Sequence, residues 1–209
     1  CSGSLADAIT RQAKKVAYAC LASSLANESS TGNWTFTEGL LAGLRGQAFV
    51  DSDGDSAITL RELAAQIAES MAFAEEQLAT FATAGGFDAD MVVAAARPQL
   101  DPRVGRRVEV LSAGEWYPAQ IVDARAERLK VHYYGYEESD DEWVTGERAR
   151  EARRTTYPIG AAVEVRWKQK WYLARVLDVR AGIHQIQYDD YGPEWNEWVA
   201  SARIRPTSK

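Results

Sequence analysis

The chain of 209 residues is poor in several things. It has two cysteines, two histidines and six prolines. Two cysteines make no disulfide framework, so a reducing compartment, the cytoplasm, is the expected setting. No apolar run approaches the roughly 18–20 residues that span a bilayer, and no membrane partner is expected. Basic excess is also lacking: 24 Lys and Arg stand against 30 Asp and Glu, for a net charge of −6. A nucleic-acid phosphate backbone is therefore not the default partner. No initiating Met and no signal-peptide pattern precede Cys1-Ser2-Gly3-Ser4. The chain reads either as processed or as the downstream part of a longer protein. What is present is ordinary globular material, 46% hydrophobic and 26% charged, so long disorder is not expected.

The charge is uneven. Residues 1–100 hold six Lys and Arg and twelve Asp and Glu, whereas residues 101–209 hold 18 of each. The grammar changes at the same place, around Arg97-Pro98-Gln99-Leu100-Asp101-Pro102, where two prolines disfavour helix and predict a linker over 97–102. Before it, Leu60, Leu63, Ala64, Ile67 and Met71 form one apolar helical stripe, begun by the capping-box pattern Thr59-x-x-Glu62. Thr35-x-x-Glu38 gives the same signal for a helix through Leu40, Leu41 and Leu44. The short run Val16–Ala22 predicts a strand buried on both faces, with Cys20 in the core. Helices and a strand in this order predict an α/β region.

After the linker the period drops to two, at Val108 and Val110, Ala119 and Ile121, and Leu129, Val131 and Tyr133. A shift of 55 residues then superposes the sequence on itself without a gap. Gly105 meets Gly160, Val108-Glu109-Val110 meets Val163-Glu164-Val165, and Trp116-Tyr117 meets Trp171-Tyr172. Glu142-Trp143-Val144 falls on Glu197-Trp198-Val199. Two copies are too few for a solenoid, so each predicts a separate small β-barrel, over residues 103–153 and 157–206.

Most of the seven tryptophans and nine tyrosines lie in these copies. Trp143 and Trp198, each followed by Val, are expected in the barrel cores. Tyr133 and Tyr136, like Tyr188 and Tyr191, stand three apart at a strand end, which turns both rings toward one opening. Rings around an opening present negative π-faces to a cation. Val131-His132-Tyr133-Tyr134-Gly135-Tyr136, followed by Asp141-Glu142-Trp143-Val144, resembles the chromo-barrel and Tudor-knot group of the Tudor/SH3-like superfamily. The resemblance covers both copies and implies a methyl-lysine cage, although some members bind nucleic acid or only partner proteins. Carried over by position, the cage in the second copy comprises Trp167, Tyr172, Tyr188, Tyr191 and Trp195. The first copy offers Tyr117, Tyr133 and Tyr136, with Ser112 and Asp140 in the other two places. Asp189-Asp190 replaces the usual small residue and Gly; these acids either assist a cation or form a solvated turn.

The first half carries a more diffuse resemblance. Cys1-Ser2-Gly3-Ser4-Leu5-Ala6-Asp7, Phe36-Thr37-x-x-Leu40-Leu41-x-Gly43-Leu44-x-Gly46 and Asp51-x-Asp53-Gly54-Asp55 are similar, in that order, to the small-subunit region of bacterial caspase-like peptidases of the metacaspase and orthocaspase group. The resemblance implies that residues 1–96 are the C-terminal portion of a caspase-like α/β domain. Cys1 is then either the nucleophile in a shifted register or the neighbour of one just upstream. A cysteine peptidase needs an imidazole beside its thiolate. Both histidines, His132 and His184, belong to barrel strands, so this chain alone is not expected to cut.

Residues 51–62 also fit the twelve-residue calcium-loop register. Asp51, Asp53, Asp55 and Glu62 supply carboxylates, and Ala57 supplies a carbonyl, around one point. Ser56 stands where Gly normally makes the turn. The loop is either a calcium site or an acidic lead into a helix; no other cofactor is expected. The expected fold is thus an α/β caspase-like half-domain plus two small SH3-like or Tudor-like β-barrels, a multi-domain α+β chain. Two functions follow. One is the C-terminal portion of a cysteine endopeptidase whose barrels recruit a protein or peptide partner, through methylated lysine or arginine. The other is a non-catalytic interaction protein that binds peptide, or less readily nucleic acid, through the barrels on a degenerate scaffold.

Overall fold

The computed structural model describes residues 16–25, 31–99, 101–152 and 155–207. Cys1 and the motif around it lie outside the described residues. The chain divides into two compact units, residues 1–152 and 153–209. No helix among the described residues is long and apolar enough to cross a membrane.

The first unit begins with β1 (Tyr18–Ala22), followed by α1 (Thr35–Leu44), β2 (Ala57–Thr59), α2 (Leu60–Glu75), β3 (Thr80–Ala84) and β4 (Val92–Ala95). Strands β1 and β3 pair antiparallel, as do β2 and β4, giving two small two-stranded sheets. The stripe read from the sequence makes the core: Leu63, Ile67 and Met71 of α2 pack with Val50 and Ile58. Gly39 and Gly43 let α1 lie close against α2, because a Cβ at either would press into Ile67 or Leu63.

Two local expectations need correction. Strand β1 is half-buried along its whole length, Cys20 included, since it pairs with β3 alone among the described residues. The capping box at Thr59 and Glu62 is present in full, but the one expected at Thr35 is not. Thr35 is the first residue of α1 and is buried. Its hydroxyl donates to Glu75 Oε1 at 2.6 Å, while the N-cap is Trp34, without a side-chain bond. A distant carboxylate has captured the hydroxyl that local spacing assigned to the helix end.

The rest of the first unit is a five-stranded antiparallel sheet, with β5 (Arg107–Ser112), β6 (Glu115–Arg125), β7 (Arg128–Tyr133), β8 (Glu142–Thr145) and β9 (Ala149–Glu151). Its order is β8-β7-β6-β5-β9. The period-two residues form its core, with Val108, Val110, Ala119, Ile121, Leu129, Val131, Tyr133 and Val144 all buried. Val144 at one edge and Ala149 at the other pack on this same cluster, so the sheet curls around it. A bulge between Ile121 and Asp123 bends the long strand β6. Trp143 corrects an expectation. Side chains alternate along a strand, so inward Val144 sends Trp143 to the other face, where it is half-buried beneath the Arg125 guanidinium at 4.9 Å.

This sheet is seated on α2. Arg107, mostly buried, reaches Glu69 at 2.7 Å and Gln66 Oε1 at 2.7 Å. Tyr134 is buried edge-on against Phe73, with ring centroids 6.0 Å apart and its hydroxyl 3.4 Å from Ser70. Phe49 comes so close to Gly105 that a Cβ there would collide with its ring.

The second unit repeats the sheet with β10 (Ala162–Trp167), β11 (Lys170–Arg180), β12 (Ile183–Tyr188), β13 (Glu197–Ala200) and β14 (Ile204–Pro206), ordered β13-β12-β11-β10-β14. Its core is Val163, Val165, Ala174, Val176, Ile186, Tyr188, Val199 and Ile204. The bulge recurs between Val176 and Asp178. Trp198 is buried but stands outside this cluster.

Candidate functional site

In the second unit the strand ends and their turns bring five rings to one place. Trp167 ends β10, Tyr172 lies on β11 and Tyr188 ends β12. Tyr191 follows in the turn, and Trp195 closes the short 3-10 helix Pro193–Trp195. All five predicted aromatics line a cavity of about 290 Å³. Neighbouring rings meet edge to face, with centroids 5.9–6.2 Å apart.

Three further lining residues were missed from the sequence: Glu194, Asn196 and Glu197. For Glu197 a signal existed, because the Glu of Glu-Trp-Val recurs in both copies. Tyr188 donates its hydroxyl to Glu197 Oε1 at 2.6 Å. Arg203 forks onto the same carboxylate, at 2.8 Å and 3.2 Å, while its Nε donates to the Arg166 carbonyl. Burial, reinforced by Glu197, pushes the Tyr188 hydroxyl well above its ordinary range, so it stays a proton donor. Asp189 and Asp190 are exposed turn residues and do not line the cavity. A cation is already drawn to one of the rings: Lys168 Nζ lies 4.5 Å from the Trp167 centroid.

The first unit holds the corresponding smaller constellation. Tyr117, Tyr133 and Tyr136 meet edge to face at 6.1–6.3 Å. With Ser112, Asp140 and Glu142 they line a pocket of about 280 Å³. The same clamp recurs. Tyr133 donates to Glu142 Oε1 at 2.6 Å, and Arg148 forks onto Glu142 at 2.7 Å and 2.8 Å. Burial and then Glu142 push the Tyr133 hydroxyl up to about 12. Arg148 and Tyr133 hold Glu142 below the usual carboxylate range.

The acidic loop is ordered by its own carboxylates. Asp51, Asp53 and Asp55 bring ligand atoms within 4.8 Å of one another. Asp51 accepts from the Gly54 and Ser56 N–H groups, Asp53 from Asp55, and Asp55 from Ala57. Ser56 takes the left-handed conformation, at φ 71°, that a glycine adopts in such a turn. Hard oxygens in this spacing suit calcium. Glu62, however, is committed to the helix end: Oε1 accepts from Ser52 and Oε2 from Thr59. Burial opposes its ionisation, but the Thr59 and Ser52 donors outweigh this and hold it down to about 2. The same loop leads directly into α2, with Glu62 at the helix end.

The two small curled five-stranded sheets, each with aromatic rings at one end, are a pair of Tudor-like domains. Residues 105–152 and 160–209 each match the Agenet domain family. The C-terminal half of the chain therefore consists of two tandem Agenet (Tudor-like) domains. Among solved structures, Arabidopsis thaliana AGDP1 AGD34 is 19% identical, with 50% of this chain and 81% of that chain covered and a TM-score of 0.24. The ADCP1 tandem Agenet domain 3-4 is 19% identical over 50% of this chain and 79% of that one, with a TM-score of 0.23. The SAWADEE domain of Arabidopsis thaliana SHH1 is 14% identical over 50% and 98%, with a TM-score of 0.23. No curated protein matches the chain. None of these matches supports a caspase-like part in residues 1–96; the described residues of that stretch form an α/β region. Cys1, the candidate nucleophile, lies outside the described residues. Cys20 is half-buried, and the two histidines, expected in the barrel strands, lie there: His132 is held between two carboxylates and His184 is fully buried.

Proposed function

We propose that this is a non-catalytic interaction protein whose second Agenet domain binds a methylated lysine side chain on a partner protein. The observation that carries this is the convergence of Trp167, Tyr172, Tyr188, Tyr191 and Trp195 on one cavity of about 290 Å³. A methylammonium group spreads its charge over methyl surface and sheds water cheaply. Aromatic walls therefore attract it at about 0.5–2 kcal/mol per ring. Glu194 and Glu197 at the wall add a favourable field. The short 3-10 helix fixes Trp195, and the Glu197–Arg203 clamp fixes Tyr188, so little ordering is left for the moment of binding. The acidic surroundings disfavour a nucleic-acid ligand at this site.

Titration of the whole chain with a trimethyllysine peptide tests the reading. Saturable binding is expected, weakened at least about tenfold by Tyr191→Ala and by removal of the methyl groups. Tyr191 is exposed and outside the core, so the fold should persist. Binding that ignores both changes would remove the cage from the account.

A further inference from the structure

The first Agenet domain differs from the second where a ligand would notice. Ser112 and Asp140 occupy the places of Trp167 and Trp195, so two aromatic walls give way to a hydroxyl and a carboxylate. The tyrosine pocket also does not end at its own rim. Tyr136 lines it on one side and on the other lines a larger trough of about 560 Å³. Helix α1 supplies the far wall of that trough through Glu38, Leu41 and its N-cap Trp34.

The trough is acidic. Five carboxylates and three basic groups line it, and the adjoining pocket adds two carboxylates. Two of the basic groups are already taken: Lys130 pairs with Asp141 at 3.1 Å, and His132 lies between Glu38 and Asp141. Glu138 and Asp140 are exposed and carry no ion pair among the described residues. Glu38 Oε2 is buried with no hydrogen-bond partner among the described residues. Exposed carboxylates with no ion pair among the described residues, Glu138 and Asp140, at the edge of an acidic trough favour a donor that carries positive charge. Exposed Trp34 and Tyr136 give the flat apolar surfaces along which alkyl stems of lysine or arginine lie.

We propose that the first Agenet domain and helix α1 together form a second recognition site, for a lysine- or arginine-rich polypeptide segment that is not methylated. One cationic side chain enters the tyrosine pocket, where Asp140 accepts from its N–H groups, and the flanking basic residues lie in the trough. Carboxylates and a hydroxyl reward a cation that still has protons to donate. A fully methylated ammonium has none, and it gains most from the all-aromatic walls of the second domain. The two domains thus read different chemical states of a basic chain, and this site does not depend on the cage reading.

The test uses the whole chain and a capped peptide of alternating alanine with lysine and arginine, its glutamine counterpart, and its trimethyllysine form. The unmethylated peptide should bind, perturb the Trp34 indole and Tyr136 amide in NMR spectra, and weaken with added salt. The double variant Glu138→Gln, Asp140→Asn should lower its affinity roughly fivefold to tenfold, and Trp34→Ala should also weaken it. Tyr191→Ala should leave this binding unchanged, which separates the site from the cage. Three results would each overturn the proposal. They are no saturable binding, binding lost only with Tyr191→Ala, and equal affinity of the first site for the trimethylated peptide.

Discussion

The most consequential single group at the second site is a carboxylate in the cavity wall that its neighbours hold in place. Glu197 accepts the Tyr188 hydroxyl and the Arg203 fork together, so it fixes the angle of one cage wall. Glu197→Gln should keep the fold, since the amide still has one acceptor, but it loses the charge that holds Arg203. We expect affinity for a trimethyllysine peptide to fall about threefold to tenfold by calorimetry, with the thermal midpoint little changed. The same clamp stands in the first domain as Tyr133, Glu142 and Arg148, which makes it part of the fold's design and not of one ligand. Sequence reading found the rings because aromatics at matching positions are visible. It missed Glu197 because the recurrence of Glu-Trp-Val marks the Glu without saying that it holds a tyrosine nine residues upstream.

Among the elements, α2 bears the most. Its start is set by Thr59 and Glu62, and Thr59→Ala should cost about 1 kcal/mol in a denaturation experiment. Its middle seats the first sheet through Tyr134 and Arg107. Truncating the buried ring by Tyr134→Ala should cost about 3–5 kcal/mol, measured in the same way. The equivalent change in the second copy, Asp189→Ala, should fall within about 0.5 kcal/mol, because Asp189 is exposed. Much of each element was legible in the sequence. The α2 stripe and the alternating strand residues became core, because helix and strand periods are local facts. Choices among distant partners were not legible. Thr35 was claimed by Glu75, forty residues away, and Tyr134 by Phe73, and neither pairing leaves a periodic trace. Trp143 shows a subtler limit. A large aromatic beside Val in a repeated frame looked like core, yet one-residue alternation put the smaller Val144 inside.

At the scale of the whole molecule, the two units carry their histidines in opposite states. In the first, hydrogen bonding to Glu38, against the cost of burial and helped by Asp141, raises His132 to about 9. Its stabilising contribution is full below the unfolded value of 6.5 and is lost as pH rises through about 9. In the second, burial lowers His184, outweighing a bond to the Val199 backbone, and its Nε2 accepts from the Tyr157 N–H at 3.0 Å. That contribution is present above 6.5 and is lost as pH falls through the lower folded value. Hydrogen exchange followed by mass spectrometry should therefore show residues 31–152 loosening on the alkaline side and residues 155–207 on the acid side. His132→Gln and His184→Gln should each flatten the response of their own unit alone.

The seat on α2 also fixes which twin sits where. Arg107 and Tyr134 of the first copy fall on Ala162 and Asp189 of the second. Exchanging the copies would press a carboxylate against the Phe73 ring and leave Glu69 and Gln66 reaching for a guanidinium that had gone. Duplicated modules are often treated as interchangeable beads. Here the order along the string is itself inherited information, because one bead has been carved to its socket.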